Sequence, residues 1–354
     1  MSISISALKG FLLEEALAKL LENSGYTLIT KKVLTQKSLY PEFISKGNGL
    51  NIKGRGGIHQ ADALGQFPIS IPFNYPVRLF VEAKFRGKKT GIDVVRSAIG
   101  ILTDLNANYQ TIDLKGDSLL VQRYNYHFAI FSTSGFSIDA IKLAIAYKIT
   151  LVDLSGAEYV ALLDVIEDTA NELEPLMKEG AQLPHVRDFI RNQLFDLDTQ
   201  INTLGESIEE SDLGKILKDF IYEVENFGDL YLASINAPFS ILLKPSSSRQ
   251  FKRFIEDSKE SSFNVSISWY REESDLWYIT LNHSDIIFTF RLPILLKNHI
   301  FKQSERDQVL VTALDAKRQF FSNIVFFVKD VEKFVIFKYQ QISGDRPFSE
   351  NRPY

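Results

Sequence analysis

Two residues of opposite charge, Glu82 and Lys84, stand two positions apart in Val77-Arg78-Leu79-Phe80-Val81-Glu82-Ala83-Lys84-Phe85. β-Branched and aromatic residues dominate that stretch, which predicts a β-strand. Alternation puts Glu82 and Lys84 on one face, with Val81, Ala83 and Phe85 on the other. Two rises of about 3.3 Å leave their Cα atoms roughly 6.6 Å apart, close enough to serve one small site. Charges on an otherwise apolar strand are costly unless they are paired or hold a metal. An edge strand with a solvated ion pair would carry the same two residues. Upstream, Gln60 and Asp62 share one face of a second predicted strand.

Several elements must position these groups. A helix is predicted from Ser6 to Ser24, with Leu13, Leu17, Leu20 and Leu21 as its apolar stripe and Gly25 as its cap. Glu14 lies beside that stripe, while Glu15, Lys19 and Glu22 are expected to face solvent. Tyr26 to Val33 reads as a first strand; Leu34 to Asn51 carries no clear pattern. Gly54-Arg55-Gly56-Gly57 signals a turn into the strand bearing Gln60 and Asp62. Neither the Walker spacing nor a Rossmann fingerprint accompanies those glycines, so a nucleotide cradle is not expected. His59 falls on the opposite face and reads as structural. Pro68 to Pro76 connects to the central strand, and Arg86, Lys88 and Lys89 follow it as a short basic loop. Then come a helix at Ile92 to Leu105, a strand at Tyr126 to Ser132, a Thr133-Ser134-Gly135 turn, a helix at Ser137 to Tyr147, and a strand at Ile149 to Asp153. That order predicts an α/β fold, a mixed sheet flanked by helices.

A chain of 354 residues favours two domains, and the expected division is 1–156 and 157–354. The second part reads as a helical connector, Tyr159 to Asn226, broken at Pro175 and Pro184 and holding three helices. An α+β domain follows it. In that domain strands are expected at Leu230 to Leu243, Phe263 to Arg271, Leu276 to His283, Ile286 to Leu292, Ile324 to Lys329 and Phe334 to Tyr339. Helices are expected at Ser248 to Lys259 and Ser304 to Phe321, and Trp269 and Trp277 read as core. No cysteine is present, which excludes disulfides, thiolate metal sites and cysteine nucleophiles. No secretory signal is visible at the start of the chain. The apolar run Ile286 to Leu296 is too short to span a bilayer, so a cytoplasmic protein without membrane contact is expected. Up to Gly156 there are 18 Lys+Arg against 12 Asp+Glu, and beyond it 22 against 32. A basic half beside a possible metal site suggests a polyanionic substrate.

Asp62 followed by Glu82-Ala83-Lys84 resembles the PD-(D/E)xK nuclease signature. Three further pieces resemble the Mrr-like restriction endonucleases: Leu13-Glu14-Glu15 through Leu20-Leu21 to Gly25-Tyr26; the glycine-rich approach to Asp62; and Phe131-Ser132-Thr133-Ser134-Gly135-Phe136 with Ala140, Ala144 and Ile149 to Asp153. The resemblance covers about residues 8–156, and Ala61 stands where the signature commonly has proline. It implies a restriction-endonuclease-like sheet and a metal-dependent DNA endonuclease of restriction or anti-phage defence, leaving a 5′ phosphate.

Phosphodiester hydrolysis needs a hard divalent cation, Mg²⁺ or Mn²⁺, to stabilise charge on phosphate and sharpen a water. Asp62 and Glu82 would supply oxygens, with the Ala83 carbonyl as a third ligand. Lys84 would position or activate the water and offset phosphate charge. By the resemblance, Glu14 matches the helical acid that reaches the metal directly or through water, and Gln60 would orient the water or a ligand. Arg55, Arg86, Lys88 and Lys89 are the expected DNA contacts. The second half would serve assembly, sensing or target recognition, with a homo-oligomer as the expected state. Two alternatives stand beside this: a DNA-binding module on an inactive nuclease fold, and a nuclease effector that waits for a signal ligand, an ATPase or another defence subunit.

Overall fold

The computed structural model describes residues 3–36, 39–46, 49–69, 73–108, 111–112, 118–119, 123–195, 208, 211–227, 230–237, 240–269, 275–302 and 306–341. The chain divides into two compact units, residues 1–22 with 26–228, and residues 23–25 with 229–354. The helical segment beyond Gly156 thus belongs with the first sheet, and a division at 156 would cut through a compact unit. Residues 157–228 carry 17 Asp+Glu against 5 Lys+Arg. The first unit is therefore acidic as a whole, and only local clusters within it are basic.

The first unit is mixed α/β. Its central strand, β6 (Val77–Lys84), pairs antiparallel with β5 (Ala63–Gln66) and parallel with β9 (Asn125–Ser132). The sheet order β1-β5-β6-β9-β10 is completed by β1 (Thr27–Leu28) and β10 (Thr150–Asp153). Arg78 to Val81 and Ala83 of β6 are all buried, as expected for a central strand covered on both faces. Phe80 stacks on Phe128 of β9 at 4.7 Å. The parallel pairs are joined through helices α2 (Ile92–Asn106) and α3 (Ile138–Ala146). Ser137 caps α3 by accepting from the Ala140 N–H at 3.2 Å.

Helix α1 (Ile5–Asn23) buries Leu8, Phe11, Leu12, Leu13, Leu17 and Leu21. Glu15, expected at the surface, is completely buried and ion-paired with Arg187 and Arg191. The predicted strand from Tyr26 is shortened to Thr27–Leu28. Thr30 turns the chain by accepting from the Lys32 N–H, which starts a 3₁₀ turn at Lys31–Thr35. The stretch without a clear pattern holds β2 (Phe43–Ile44) and β3 (Leu50–Lys53), which with β4 (Ile58–Ala61) form a separate three-stranded sheet. β7 (Thr111–Ile112) and β8 (Ser118–Leu119) make a small hairpin pair between α2 and β9.

Helices α4 (Val160–Lys178), α5 (Leu183–Phe195) and α6 (Asp212–Phe227) follow β10. They bury Leu162, Ile166, Leu173, Phe189, Ile190 and Phe220, among others. Lys9 of α1 pairs with Glu167 of α4 at 2.6 Å, and Lys19 donates to the Leu194 carbonyl of α5 at 2.9 Å. These bonds fasten the helices to α1.

The second unit is a closed seven-stranded barrel, in the order β11-β12-β15-β14-β13-β17-β16. Its strands are β11 (Tyr231–Ser234), β12 (Ser240–Pro245), β13 (Ser262–Trp269), β14 (Leu276–Leu281), β15 (Ile287–Arg291), β16 (Asn323–Val328) and β17 (Lys333–Tyr339). The expected single strand at Leu230 to Leu243 is two, and the last two residues of the run expected to end at Arg271 lie outside the described residues. Helix α7 (Ser248–Asp257) sends Phe251 into the barrel core against Tyr231, Phe288, Phe326 and Phe337. Trp269 and Trp277 stack there at 4.8 Å, in keeping with a core role. Helix α8 (Ile294–Ile300), which no sequence signal predicted, precedes α9 (Arg306–Phe320). The predicted start of α9 at Ser304 lies outside the described residues. Among the described residues no helix is long and apolar enough to cross a membrane.

Candidate functional site

Asp62 sits at the corner between two sheets, since Ala61 ends β4 and Ala63 begins β5. The β5–β6 ladder stops at the Ala63–Val81 pair. One step on, the Ala83 N–H donates to Asp62 Oδ2 at 2.8 Å, so a carboxylate replaces the missing strand partner. In a strand, one residue's N–H and C=O leave by the same edge. The Ala83 carbonyl is therefore directed past the end of β5, on the side where Asp62 stands. Glu82 and Lys84 share a face, as alternation requires. Lys84 Nζ donates to Glu82 Oε1, and both side chains are about one-fifth exposed (18% and 22%).

Glu14 of α1 completes the cluster from another element. Its Oε2 accepts from Arg187 Nη2 at 2.7 Å. Arg187 Nε also lies 3.2 Å from Glu15 Oε1, and Arg191 Nε donates to Glu15 Oε2 at 2.7 Å. Arg187 and Arg191 are four apart on α5, and so meet consecutive acids of α1 from one helix face. Both arginines escaped the sequence reading. The available signal was their spacing beside the apolar Val186, Phe189, Ile190 and Leu194, in a segment otherwise short of basic residues.

Charge is crowded here. Burial and the charge of Glu82 push Asp62 up to about 6, against the Ala83 hydrogen bond, Lys84 and Arg187. Burial and the charge of Asp62 push Glu14 up to about 8, outweighing Arg187. Both groups hold protons in the folded state that they lose at lower pH in the unfolded chain. Their contribution to stability is full below the ordinary carboxylate range and is lost as pH rises through about 6 and about 8. Metal-free protein is therefore expected to have a lower urea midpoint at pH 8.5 than at pH 5.5, and Asp62→Asn with Glu14→Gln should flatten that fall. A midpoint that rises across the same window would contradict this electrostatic account.

The other expected residues are placed differently. Gln60 is exposed on β4 and opposite Asn51, with its side chain over Gly49, where a Cβ would collide with it at 2.3 Å. No hydrogen bond among the described residues joins Gln60 to the cluster. His59 Nε2 meets Asp104 Oδ2 at 2.7 Å, and the N–H groups of Gly56 and Gly57 donate to the same carboxylate at 2.7 and 3.0 Å. The glycine turn thus cradles an anion of its own chain. A Cβ at Gly54 would lie 2.0 Å from Asp104 Oδ2. Arg55 is exposed on that turn. Arg86, Lys88 and Lys89 are exposed just past β6, and no ion pair among the described residues engages them. Their loop is strapped down. The Arg86 N–H donates to Thr133 Oγ1 at 3.1 Å, Ser134 Oγ donates to the Lys88 carbonyl, and the Thr90 N–H donates to the Gly135 carbonyl at 2.9 Å. Gly135 sits at φ 69°, which L side chains rarely adopt, and a Cβ there would lie 2.8 Å from Asp153 Oδ2.

Among the described residues, no three His, Cys, Asp or Glu side chains gather tightly enough to hold a metal ion. A cation would fall to Asp62, Glu82 and the Ala83 carbonyl, an all-oxygen set suited to a hard divalent ion. Burial and the repulsion from Glu82, which together raise Asp62, are what such an ion would offset. No family model matches the chain. No curated protein matches it. A solved structure described as a protein of unknown function, AF1548, is similar at 16% identity, with a TM-score of 0.32, over 61% of this chain and 96% of the other. Similarity of that size is too slight to transfer a fold or a function.

Proposed function

We propose that the protein is a metal-dependent endonuclease that hydrolyses DNA phosphodiester bonds, built on a restriction-endonuclease-like sheet and serving restriction or anti-phage defence. One observation carries the reading. Asp62, the Ala83 backbone, Glu82 and Lys84 meet where β5 ends beside β6, and they are the residues that the signature names. Mg²⁺ or Mn²⁺, when bound, would stabilise charge on the phosphate and sharpen the attacking water. Asp62 and Glu82 would hold it, with the Ala83 carbonyl. Holding the ion would take Glu82 from its pair with Lys84, and Lys84 Nζ would then be available to donate to the attacking water or to a phosphate oxygen. Arg86, Lys88 and Lys89 would take the flanking phosphates, on a loop already fixed by the Thr133-Ser134-Gly135 turn.

Neutralising Arg86, Lys88 and Lys89 together should weaken DNA binding and lower the slope of log K against log salt by roughly 2 to 3 for duplex DNA. Fluorescence anisotropy over a salt series measures this, and an unchanged slope would remove the loop from the interface. The reading itself is tested by incubating the full chain with methylated and unmethylated plasmid, with Mg²⁺, Mn²⁺ or EDTA. Cleavage confined to the metal-containing reactions is expected; intact plasmid in all of them would sink it.

A second reading, a nuclease effector that waits for a signal ligand or a partner such as an ATPase, draws on a different observation. Every acid of the cluster already has an internal partner: Asp62 the Ala83 N–H, Glu82 Lys84, and Glu14 Arg187. Cleavage only after a second defence subunit is added would favour it.

A further inference from the structure

We infer that the site takes one divalent cation rather than two, with Arg187 standing where the charge of a second would fall; this rests on the proposed metal site. Two-cation sites need acidic oxygens for both ions. Asp62 and Glu82 serve the first, and Glu14 is the acid left over. Glu14 is not free, because its Oε2 is bonded to Arg187 Nη2 at 2.7 Å. Arg187 has two further contacts: its Nε ion-pairs with the completely buried Glu15 at 3.2 Å, and its guanidinium lies 4.8 Å over the Phe11 ring, while Arg191 holds the other oxygen of Glu15 at 2.7 Å. Swinging Arg187 away would leave a buried carboxylate short of a partner.

Charge balance points the same way. Above about pH 8, where Glu14 and Asp62 are both ionised, Glu14, Glu15, Asp62 and Glu82 exceed Lys84, Arg187 and Arg191 by one negative charge. Lys31 and Asp188, which stand near the two guanidiniums, cancel each other. One divalent cation leaves the site with a single positive charge, which a phosphodiester anion neutralises. A second would leave a large uncompensated excess. Arg187 is a positioning residue in this arrangement: it withholds Glu14 from the metal.

The test is a Mn²⁺ titration of the full chain by calorimetry, with free Mn²⁺ counted by electron paramagnetic resonance. The parent should bind one equivalent. Glu14→Gln should bind one equivalent with affinity within about twofold of the parent, whereas Asp62→Asn should lose at least ~10-fold, the scale of a lost metal-site interaction. Arg187→Gln, which releases Glu14, should gain a second equivalent or bind several-fold tighter. Two equivalents in the parent, a ~10-fold loss in Glu14→Gln, or a folded Arg187→Gln indistinguishable from the parent would each overturn the inference while leaving the metal site standing. If Arg187→Gln does not fold, the parent count and Glu14→Gln decide. No Mn²⁺ binding by the parent would overturn both.

Discussion

A fragment ending at Gly156 is expected not to fold, although the five-stranded sheet closes at Asp153. Such a fragment lacks α4, α5 and α6, whose buried side chains pack within the same compact unit as the sheet. It also strips Glu15 of Arg187 and Arg191. An unpaired buried charge costs about 3–5 kcal/mol, a large share of the roughly 5–15 kcal/mol that holds a typical domain. The Lys9–Glu167 pair and the Lys19 bond to Leu194 go with them. A fragment ending near residue 228 keeps all of these interactions and should unfold cooperatively in urea. Circular dichroism of the two fragments, with urea melts, measures the difference. Equal and cooperative unfolding would show that the helices are dispensable for the sheet, and would weaken the case for Arg187 as part of the site.

The second large effect falls on chemistry. Lys84→Met should lower single-turnover plasmid cleavage by ~10²–10⁴-fold, the scale of a lost proton-transfer or charge-stabilising group. Its Mn²⁺ binding should persist, because Glu82 is then left without its internal cation and is free for the metal. Glu82→Gln should lose both cleavage and Mn²⁺ binding. The split between the two variants separates a group that meets water and phosphate from one that holds the ion. Identical losses of Mn²⁺ binding in both would mean that the Glu82–Lys84 pair acts as a single structural unit. Parental cleavage in both would remove the pair from the site.

Much of the first unit was legible in the sequence. Local patterns carried it: the apolar and aromatic run of β6, the turn and helix that follow β9, and the alternation that places Glu82 and Lys84 together. Asp62 was expected on a strand and lies instead at the corner between two sheets. The reason is tertiary, since its carboxylate takes the Ala83 N–H that β5 leaves unpaired. Glu15 misled because one acid on an otherwise apolar helix normally reads as solvated. Its partners lie more than 170 positions away, and no local pattern announces them. The glycines at Gly54 to Gly57 were legible as a turn and not as a nucleotide cradle, yet the turn does cradle an anion. The anion is Asp104, brought there by α2, and spacing could not reveal that the cradle was already filled. The compact units divide near residue 228 and not at Gly156, for the same kind of reason as Glu15. The shift to acidic, helical sequence after Gly156 is real, but those helices pack back on α1.

The most direct test of the central claim is plasmid nicking by Asp62→Asn beside the parent, with protein in excess over DNA, in Mg²⁺, Mn²⁺ and EDTA. The amide oxygen of asparagine still accepts from the Ala83 N–H, and the substitution removes a charge whose burial is costly. The folded state should therefore survive, with an unchanged or higher melting temperature in EDTA at pH 8. The account predicts metal-dependent nicking by the parent and none above the EDTA background by Asp62→Asn. Nicking by a well-folded Asp62→Asn at the parent's rate would contradict it.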